Sequence, residues 1–293
     1  MERLSILLIA TVMAFNSFPF RMPVQSPDEL VDSGTCGAQC VWKLSSDGIL
    51  TISGDGSMAD YGTSSTREAP YRMYQDQITA VVVEEGVTRI GQCAFVGLRN
   101  VKQVALADSI ETISYEAFYG DRSLTEIEIP SSVKHLDAEA FLNCAALEKV
   151  ILHEGLQDIG DMCFYDADAL KELTIPASVT YIGELAFGRY SLDNSYIGGG
   201  IAKDETICGY PGTAAEAYAF QDGISFSPLR AIVNGDVNGD GDIDVFDLSF
   251  LKRYLNHHES ISICMYASDI NSDMKIDTED CYRLNNYILD KVR

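Results

Sequence analysis

The stretch Asp236-Val237-Asn238-Gly239-Asp240-Gly241-Asp242-Ile243-Asp244-Val245-Phe246-Asp247 decides how the chain is read. Carboxylate or amide oxygens recur at its positions 1, 3, 5, 9 and 12. A glycine stands at position 6 and a β-branched residue, Ile243, at position 8. Alternate side chains of a tightly turning loop can converge on one hard cation, with a backbone carbonyl supplied from position 7, and Gly241 permits the turn. The expected ligand set is Asp236, Asn238, Asp240, Asp242 through its carbonyl, Asp244 and Asp247. The spacing is that of a calcium loop, with Asp at position 12 where the EF-hand pattern asks for Glu.

The pattern returns 33 residues on, as Asp269-Ile270-Asn271-Ser272-Asp273-Met274-Lys275-Ile276-Asp277-Thr278-Glu279-Asp280. Its expected ligands are Asp269, Asn271, Asp273, Lys275 through its carbonyl, Asp277 and Asp280. Met274 replaces the glycine of position 6, where positive φ is expected, so the second loop should be strained. The residues that follow repeat too. Leu248, Leu251, Tyr254 and Leu255 in the first copy become Cys281, Leu284, Tyr287 and Ile288 in the second, a spacing that gives one apolar helix face after each loop. No clear amphipathic helix precedes the first loop, so the unit is loop then helix, twice.

These residues resemble a type I dockerin, the calcium module that plugs into cohesin domains of a cellulosome scaffoldin. The resemblance covers 233–293 and implies two calcium ions and a cohesin partner. In that family the cohesin contacts come from residues just before the last loop ligand and from the exposed side of the following helix. Here those positions are Val245, Phe246, Lys252, Arg253 and His257 in the first copy and Thr278, Glu279, Asn285, Asn286 and Asp290 in the second. One set is apolar and basic, the other polar and acidic, so the first set is the expected cohesin face.

Upstream, apolar residues hold a period of 23. The columns are Ile78, Val101, Leu124, Leu147 and Leu170; Val81, Val104, Ile127, Val150 and Leu173; Val83, Leu106, Ile129, Leu152 and Ile175; Ile90, Ile113, Leu136, Ile159 and Ile182; and Phe95, Phe118, Phe141, Phe164 and Phe187. One such unit cannot bury its own apolar face, so neighbours must stack into a solenoid. The run Leu124-Thr-Glu-Ile-Glu-Ile-Pro-Ser-Ser-Val133, followed by Ala140-Phe141, resembles the BspA-like leucine-rich repeat of bacterial surface proteins. The expected fold is an α/β leucine-rich-repeat solenoid with one strand per repeat, followed by a small all-α calcium-binding module of two loop–helix repeats.

The expected organisation is a signal peptide over 1–26, an N-terminal lead-in module over 27–77, five repeats over 78–188, a C-terminal cap over 189–230 and the dockerin-like module over 233–293. In the lead-in, Cys40-Val-Trp42-Lys-Leu and Gly48–Gly54 read as two strands joined by a Ser-Ser-Asp-Gly turn, with Trp42 as a core residue. In the cap, Thr213 reads as the N-cap of a helix that Gly223 stops, and Ile224-Ser-Phe226 as a last strand.

The chain has 293 residues, with 44 acidic against 21 basic and a net charge of −23. Nucleic acid and anionic membranes, which need a basic face, are excluded as partners. The run from Leu4 to Phe15 is too short to span a bilayer and reads as an export signal. The protein is therefore expected to be secreted, with no later membrane span, and to sit on a cell-surface cellulosome. Cys36 and Cys40 are close enough to pair, and their disulfide status stays open; Cys163 falls in an alanine column and reads as core.

No nucleophile elbow, zinc signature or phosphate loop appears, and no catalytic residue is assigned. The outward repeat positions, Ala80, Gln103, Glu126, Lys149 and Glu172 with Val82, Ala105, Glu128, Ile151 and Thr174, carry no aromatic ring, which favours a protein over a glycan ligand. The leading reading is a non-catalytic component that docks through calcium loops and presents a recognition surface; the alternative is an accessory carbohydrate-binding or hydrolytic component.

Overall fold

The computed structural model describes residues 29–62, 68–188, 205–256 and 263–292. The expected signal peptide, the glycine-rich part of the expected cap and His257 lie outside them.

Each repeat begins with a strand whose alternate residues face inward: Ala80–Val83, Gln103–Leu106, Glu126–Glu128, Lys149–Ile151 and Glu172–Thr174. The inward side chains of the second column, Val81, Val104, Ile127, Val150 and Leu173, are all buried. This is the one strand per repeat expected from the sequence. The structure adds a second, on another side of the coil: Val87–Ile90, Thr112–Ile113, His135–Leu136, Asp158–Ile159 and Tyr181–Ile182 form a parallel ladder that starts at Gly56–Ser57. A column not read from the sequence accompanies it. Val87, Ile110, Val133, Leu156 and Val179 are buried at the corner that leads into this side. Among the described residues the repeats contain no α-helix, and the third side is a run of turns with one short parallel pair, Phe164–Tyr165 with Phe187–Gly188. The α component is confined to the cap and the calcium module.

The third side is held by the same translation. The Phe95, Phe118, Phe141 and Phe164 amides donate to Ala117, Ala140, Cys163 and Ala186 carbonyls at 2.8 Å. The rings behind them stack, with centroids 5.1 to 5.5 Å apart from Phe95 through Phe187. Tyr71 extends the stack on one side, 6.0 Å from Phe95, and Tyr218 closes it edge-on, 5.6 Å from Phe187. Small residues must stand beside the phenylalanines, and Cys163 is fully buried there as expected.

At the N-terminal end the strands Cys40–Ser45 and Ile49–Gly54 form the expected hairpin. A strand not foreseen, Leu30–Thr35, adds to it antiparallel. Ile49–Gly54 then pairs parallel with Ala80–Val83, so this hairpin covers the first exposed edge of the solenoid. Trp42 is 3% exposed and lies 5.7 Å from Tyr71, a core position.

At the other end, strands Thr206–Gly209 and Ser225–Pro228 continue the first sheet beyond Glu172–Thr174. Between them runs α1 (Ala214–Asp222), stopped at Gly223 with φ 68. Thr213 holds the N-cap position, but its hydroxyl does not cap; it donates to the Tyr210 carbonyl at 2.6 Å. The Glu216 carboxylate accepts from the Gly212 amide instead.

The C-terminal module has α2 (Val245–Asn256), a short α3 (Met265–Ser268) and α4 (Thr278–Val292). Its core is Val237, Leu248, Leu251, Ile263, Met265, Leu284 and Ile288. Tyr287, expected on the inner face of the last helix, is 48% exposed, with the Lys291 ammonium 5.3 Å from its ring. Ile288 takes the buried place beside it. No helix among the described residues is long and apolar enough to cross a membrane.

Candidate calcium loops and docking face

Both loops turn because their own carboxylates bind their own amides. In the first, Asp236 accepts from Gly241 at 3.0 Å, Asn238 from Asp240 at 2.9 Å, Asp240 from Asp242 at 2.9 Å and Asp244 from Phe246 at 2.7 Å. Asp247, the last position of the loop and already part of α2, is fully buried. Its two oxygens take the Asn238 amide at 3.1 Å and the Asp244 amide at 2.8 Å. Burial pushes its carboxyl above the usual range; those two amides oppose the shift, and the Asp236 and Asp240 carboxylates add to it.

The second loop repeats the scheme. Asp269 accepts from Asp273 at 3.0 Å and Met274 at 2.8 Å, Asn271 from Asp273 at 3.1 Å, Asp273 from Lys275 at 3.0 Å and Asp277 from Glu279 at 2.8 Å. Asp280, also fully buried, takes Ile270 at 2.8 Å and Asp277 at 2.9 Å. Met274 does adopt positive φ, 62°, and so does Ser272, at 58°. Their counterparts in the first loop are Gly241 and Gly239, at 97° and 73°.

Among the described residues no three His, Cys, Asp or Glu side chains are gathered at metal-ligand spacing. The donor set nevertheless fits a hard cation. It is oxygen alone, it alternates along a turning loop, and the loop's first ligand is incompletely satisfied: Asp236 Oδ1 is buried and, among the described residues, has no hydrogen-bond partner. A buried carboxylate oxygen left so is unfavourable unless a cation meets it. Asp242 and Lys275 are exposed at position 7, where only their carbonyls would serve.

The outer faces of the two helices differ. Val245 and Phe246, at the start of α2, are 61% and 62% exposed, and Lys252 and Arg253 are exposed further along. Arg253 lies over the Phe250 ring at 5.7 Å. On α4, Thr278, Glu279 and Asn286 are exposed, with Asn285 half-buried. Glu279 is already engaged by Arg283 at 2.9 Å, one helical turn on. Two exposed apolar residues on that helix were not foreseen, Tyr282 and Leu289.

Elsewhere the titratable groups look structural. All eight cysteines are free, and burial raises every one of their thiols, so none is an activated thiolate. Cys36, pushed up to about 12, and Cys40 sit as neighbours across the first hairpin turn, joined by a backbone hydrogen bond of 2.9 Å. Buried Asp121 is held well above the carboxylate range by desolvation, with the Leu98 amide at 2.7 Å from one oxygen.

A family model, the BspA type Leucine rich repeat region, matches residues 69–193 in six copies. A second, the Dockerin type I domain, matches residues 234–289. The sixth copy fits the structure, since Tyr71 stacks as one more ring ahead of Phe95. Among solved structures, a leucine-rich repeat protein from Eubacterium ventriosum is similar at 30% identity and TM-score 0.44, over 52% of this chain and 40% of that one. A Leucine Rich Repeat protein of T. pallidum matches at 24% identity and TM-score 0.40, over 57% of this chain and 67% of its own. The pneumococcal vaccine antigen PcpA matches at 18% identity and TM-score 0.36, over 53% and 48%. The chain thus spans less than half the length of the first of these. No curated protein matches it. Both matched domains are of non-catalytic kinds, and type I dockerins are calcium-binding domains that bind cohesins. The chain carries a BspA-type leucine-rich-repeat region and, C-terminal to it, a type I dockerin domain.

Proposed function

We propose that the protein is a secreted, non-catalytic component of a cellulosome-type assembly. Its dockerin loads two calcium ions, through Asp236, Asn238, Asp240, Asp242, Asp244 and Asp247 in one loop and Asp269, Asn271, Asp273, Lys275, Asp277 and Asp280 in the other. The loaded module docks on a scaffoldin cohesin through Val245, Phe246, Lys252 and Arg253, and the repeats present a recognition surface. The observation that carries this reading is the pairing of a buried Asp236 oxygen, unpartnered among the described residues, with an exposed Phe246 at position 11 of the same loop. A cation organises the loop from inside while an apolar anchor stands ready outside. The test is calorimetric titration of the full chain with type I cohesins, in calcium and in chelator. Calcium-dependent binding is expected; binding that persists unchanged in chelator sinks the proposal.

An accessory glycan-binding role has one observation in its favour. Tyr119 and Tyr165 flank Leu142 in a shallow pocket of about 230 Å³ that Asn143 and Asp166 also line. Aromatic rings beside polar groups suit a sugar face, and a glycan array probed with the full chain separates this role from protein recognition.

A further inference from the structure

Only Leu229 to Gly235 separate the last cap strand from the first calcium loop, and the junction is tightly built. Glu216 of α1 is fully buried. One of its oxygens accepts from the Gly212 amide within the cap at 2.6 Å; the other accepts from the Tyr266 amide of α3, in the dockerin, at 3.0 Å. The Tyr266 ring stacks on Phe226 of the last cap strand at 5.6 Å and meets Phe220 of α1 edge-on at 5.4 Å. Its hydroxyl donates to the Ile224 carbonyl at 3.3 Å. Ala217 and Phe220 of α1 pack onto the dockerin core.

The contact reaches the calcium loop itself. Arg230, in the connecting segment, donates to the Gly239 carbonyl at 3.3 Å. Gly239 is position 4 of the first loop, and a Cβ there would lie 2.9 Å from the Arg230 guanidinium and 3.1 Å from Cys264 Sγ. The glycine is favoured by its positive φ, and a Cβ there would also displace the Arg230 guanidinium from its place against the loop. Among the described residues the second loop has no such neighbour. Its side-chain hydrogen bonds run within 269–280, and Ser272, in the place of Gly239, is exposed.

A carboxylate buried across two domains is satisfied only while both are in place. Separation would strip one oxygen of its donor and expose the Phe220–Tyr266–Phe226 cluster. We propose that the cap of the repeat domain is a socket for the first calcium loop, with Glu216, Tyr266 and Arg230 as positioning residues, so that docking of the two domains and calcium occupancy of that loop are linked. The inference rests on the calcium reading of the loop. Linkage is reciprocal: the factor by which docking raises the loop's affinity is the factor by which calcium favours docking. A consequence is that the repeat face is held at a set angle to whatever the dockerin binds, in place of swinging on a tether.

Hydrogen exchange of the full chain, followed by mass spectrometry across a series of free calcium concentrations, reads each loop separately. In the unaltered chain, peptides covering 212–224 should gain protection at the same calcium midpoint as those covering the first loop. Arg230→Ala and Tyr266→Ala should move the first loop's midpoint to higher calcium by about fivefold or more, within the usual range of coupling, and leave the second loop's midpoint in place. Arg230 is exposed, so its variant decides the matter even if Tyr266→Ala fails to fold. Unmoved first-loop midpoints with calcium-independent protection of 212–224 overturn the socket. A chain in which neither loop responds to calcium overturns the calcium reading itself, and the socket with it.

Discussion

The two calcium loops share their donors and differ in their backbones. Asp, Asn, Asp, Asp and Asp stand at matching places in both, and the buried Asp247 and Asp280 close them alike. The left-handed positions do not match: Gly239 and Gly241 in the first loop, Ser272 and Met274 in the second. An L-residue in that region costs about 1–2 kcal/mol relative to a right-handed conformation, which glycine avoids. The oxygens differ too. Both oxygens of Asp269 accept amides, whereas Asp236 keeps one buried oxygen without a partner. Duplication has therefore kept the chemistry of the loop more strictly than its conformational ease. The first loop is relaxed in its backbone and unsatisfied at its ligand; the second is the reverse.

The largest effect that tests this contrast is removal of the cation from both loops. Asp236, Asp240, Asp244 and Asp247 crowd one loop, and Asp269, Asp273, Asp277 and Asp280 the other; without a cation they repel, beside a core too small to hold them. In chelator, hydrogen exchange should become fast across 245–256 and 278–292, while the repeats keep their protection through the stacked phenylalanines. Unchanged exchange in the dockerin would show that the loops stand without a cation. Next in size is the outer face. Phe246→Ala and Arg253→Ala should each weaken cohesin binding by about 1–3 kcal/mol if the first copy supplies the anchor. Glu279→Ala and Asn286→Ala should do little, the first because Arg283 already holds Glu279. If each pair of changes alone leaves affinity intact and only all four together abolish it, the module docks in two orientations and the asymmetry of the faces is irrelevant.

Much of this was legible because it is carried by side-chain type at fixed spacing. Five apolar columns and two sets of alternating oxygens need no tertiary information. The second strand of each repeat was harder: Thr112–Ile113 or Asp158–Ile159 is only two residues long and shows no alternation. Its buried companions, such as Ile110 and Leu156, stood in plain sight as a column at the same period. The left-handed corners divide in the same way. Gly97, Gly120, Asn143 and Asp166 form a column of residues that tolerate positive φ and could have been found. Cys93, Glu116, Glu139, Met162 and Leu185 adopt it as well, imposed by stacking against the next turn, and no residue preference betrays them. Glu216 was hidden for a third reason. A glutamate in the first turn of a helix is ordinary, and its burial comes from a partner, Tyr266, fifty positions on.

The smaller effects bear on backbone ease alone. Met274 is 48% exposed and its side chain is dispensable to the core, so Met274→Gly removes strain with little loss of packing. It should raise the second loop's calcium affinity by about fivefold, equivalent to about 1 kcal/mol at the low end of the left-handed penalty. The reverse change, Gly241→Met, should weaken the first loop by a similar factor, because a Cβ at Gly241 meets nothing within 4 Å and only the backbone term is felt. Per-loop calcium midpoints by hydrogen exchange check both. Unequal factors would mean that Met274 also contributes a contact.

Smallest of all is Ser272→Gly. Serine at φ 58 is strained less than methionine, having a short polar side chain, and Ser272 is exposed, so the gain at the second loop should be about 0.5 kcal/mol, or about twofold in affinity. The mirror change, Gly239→Ser, should not be small. It adds the close approach of Arg230 and Cys264 to the backbone term, at the point where the cap meets the loop. The asymmetry between these two exchanges separates backbone strain from contact with the repeat domain. If Gly239→Ser weakens the first loop no more than about twofold, the contact contributes nothing, and the backbones of the two loops differ by their glycines alone.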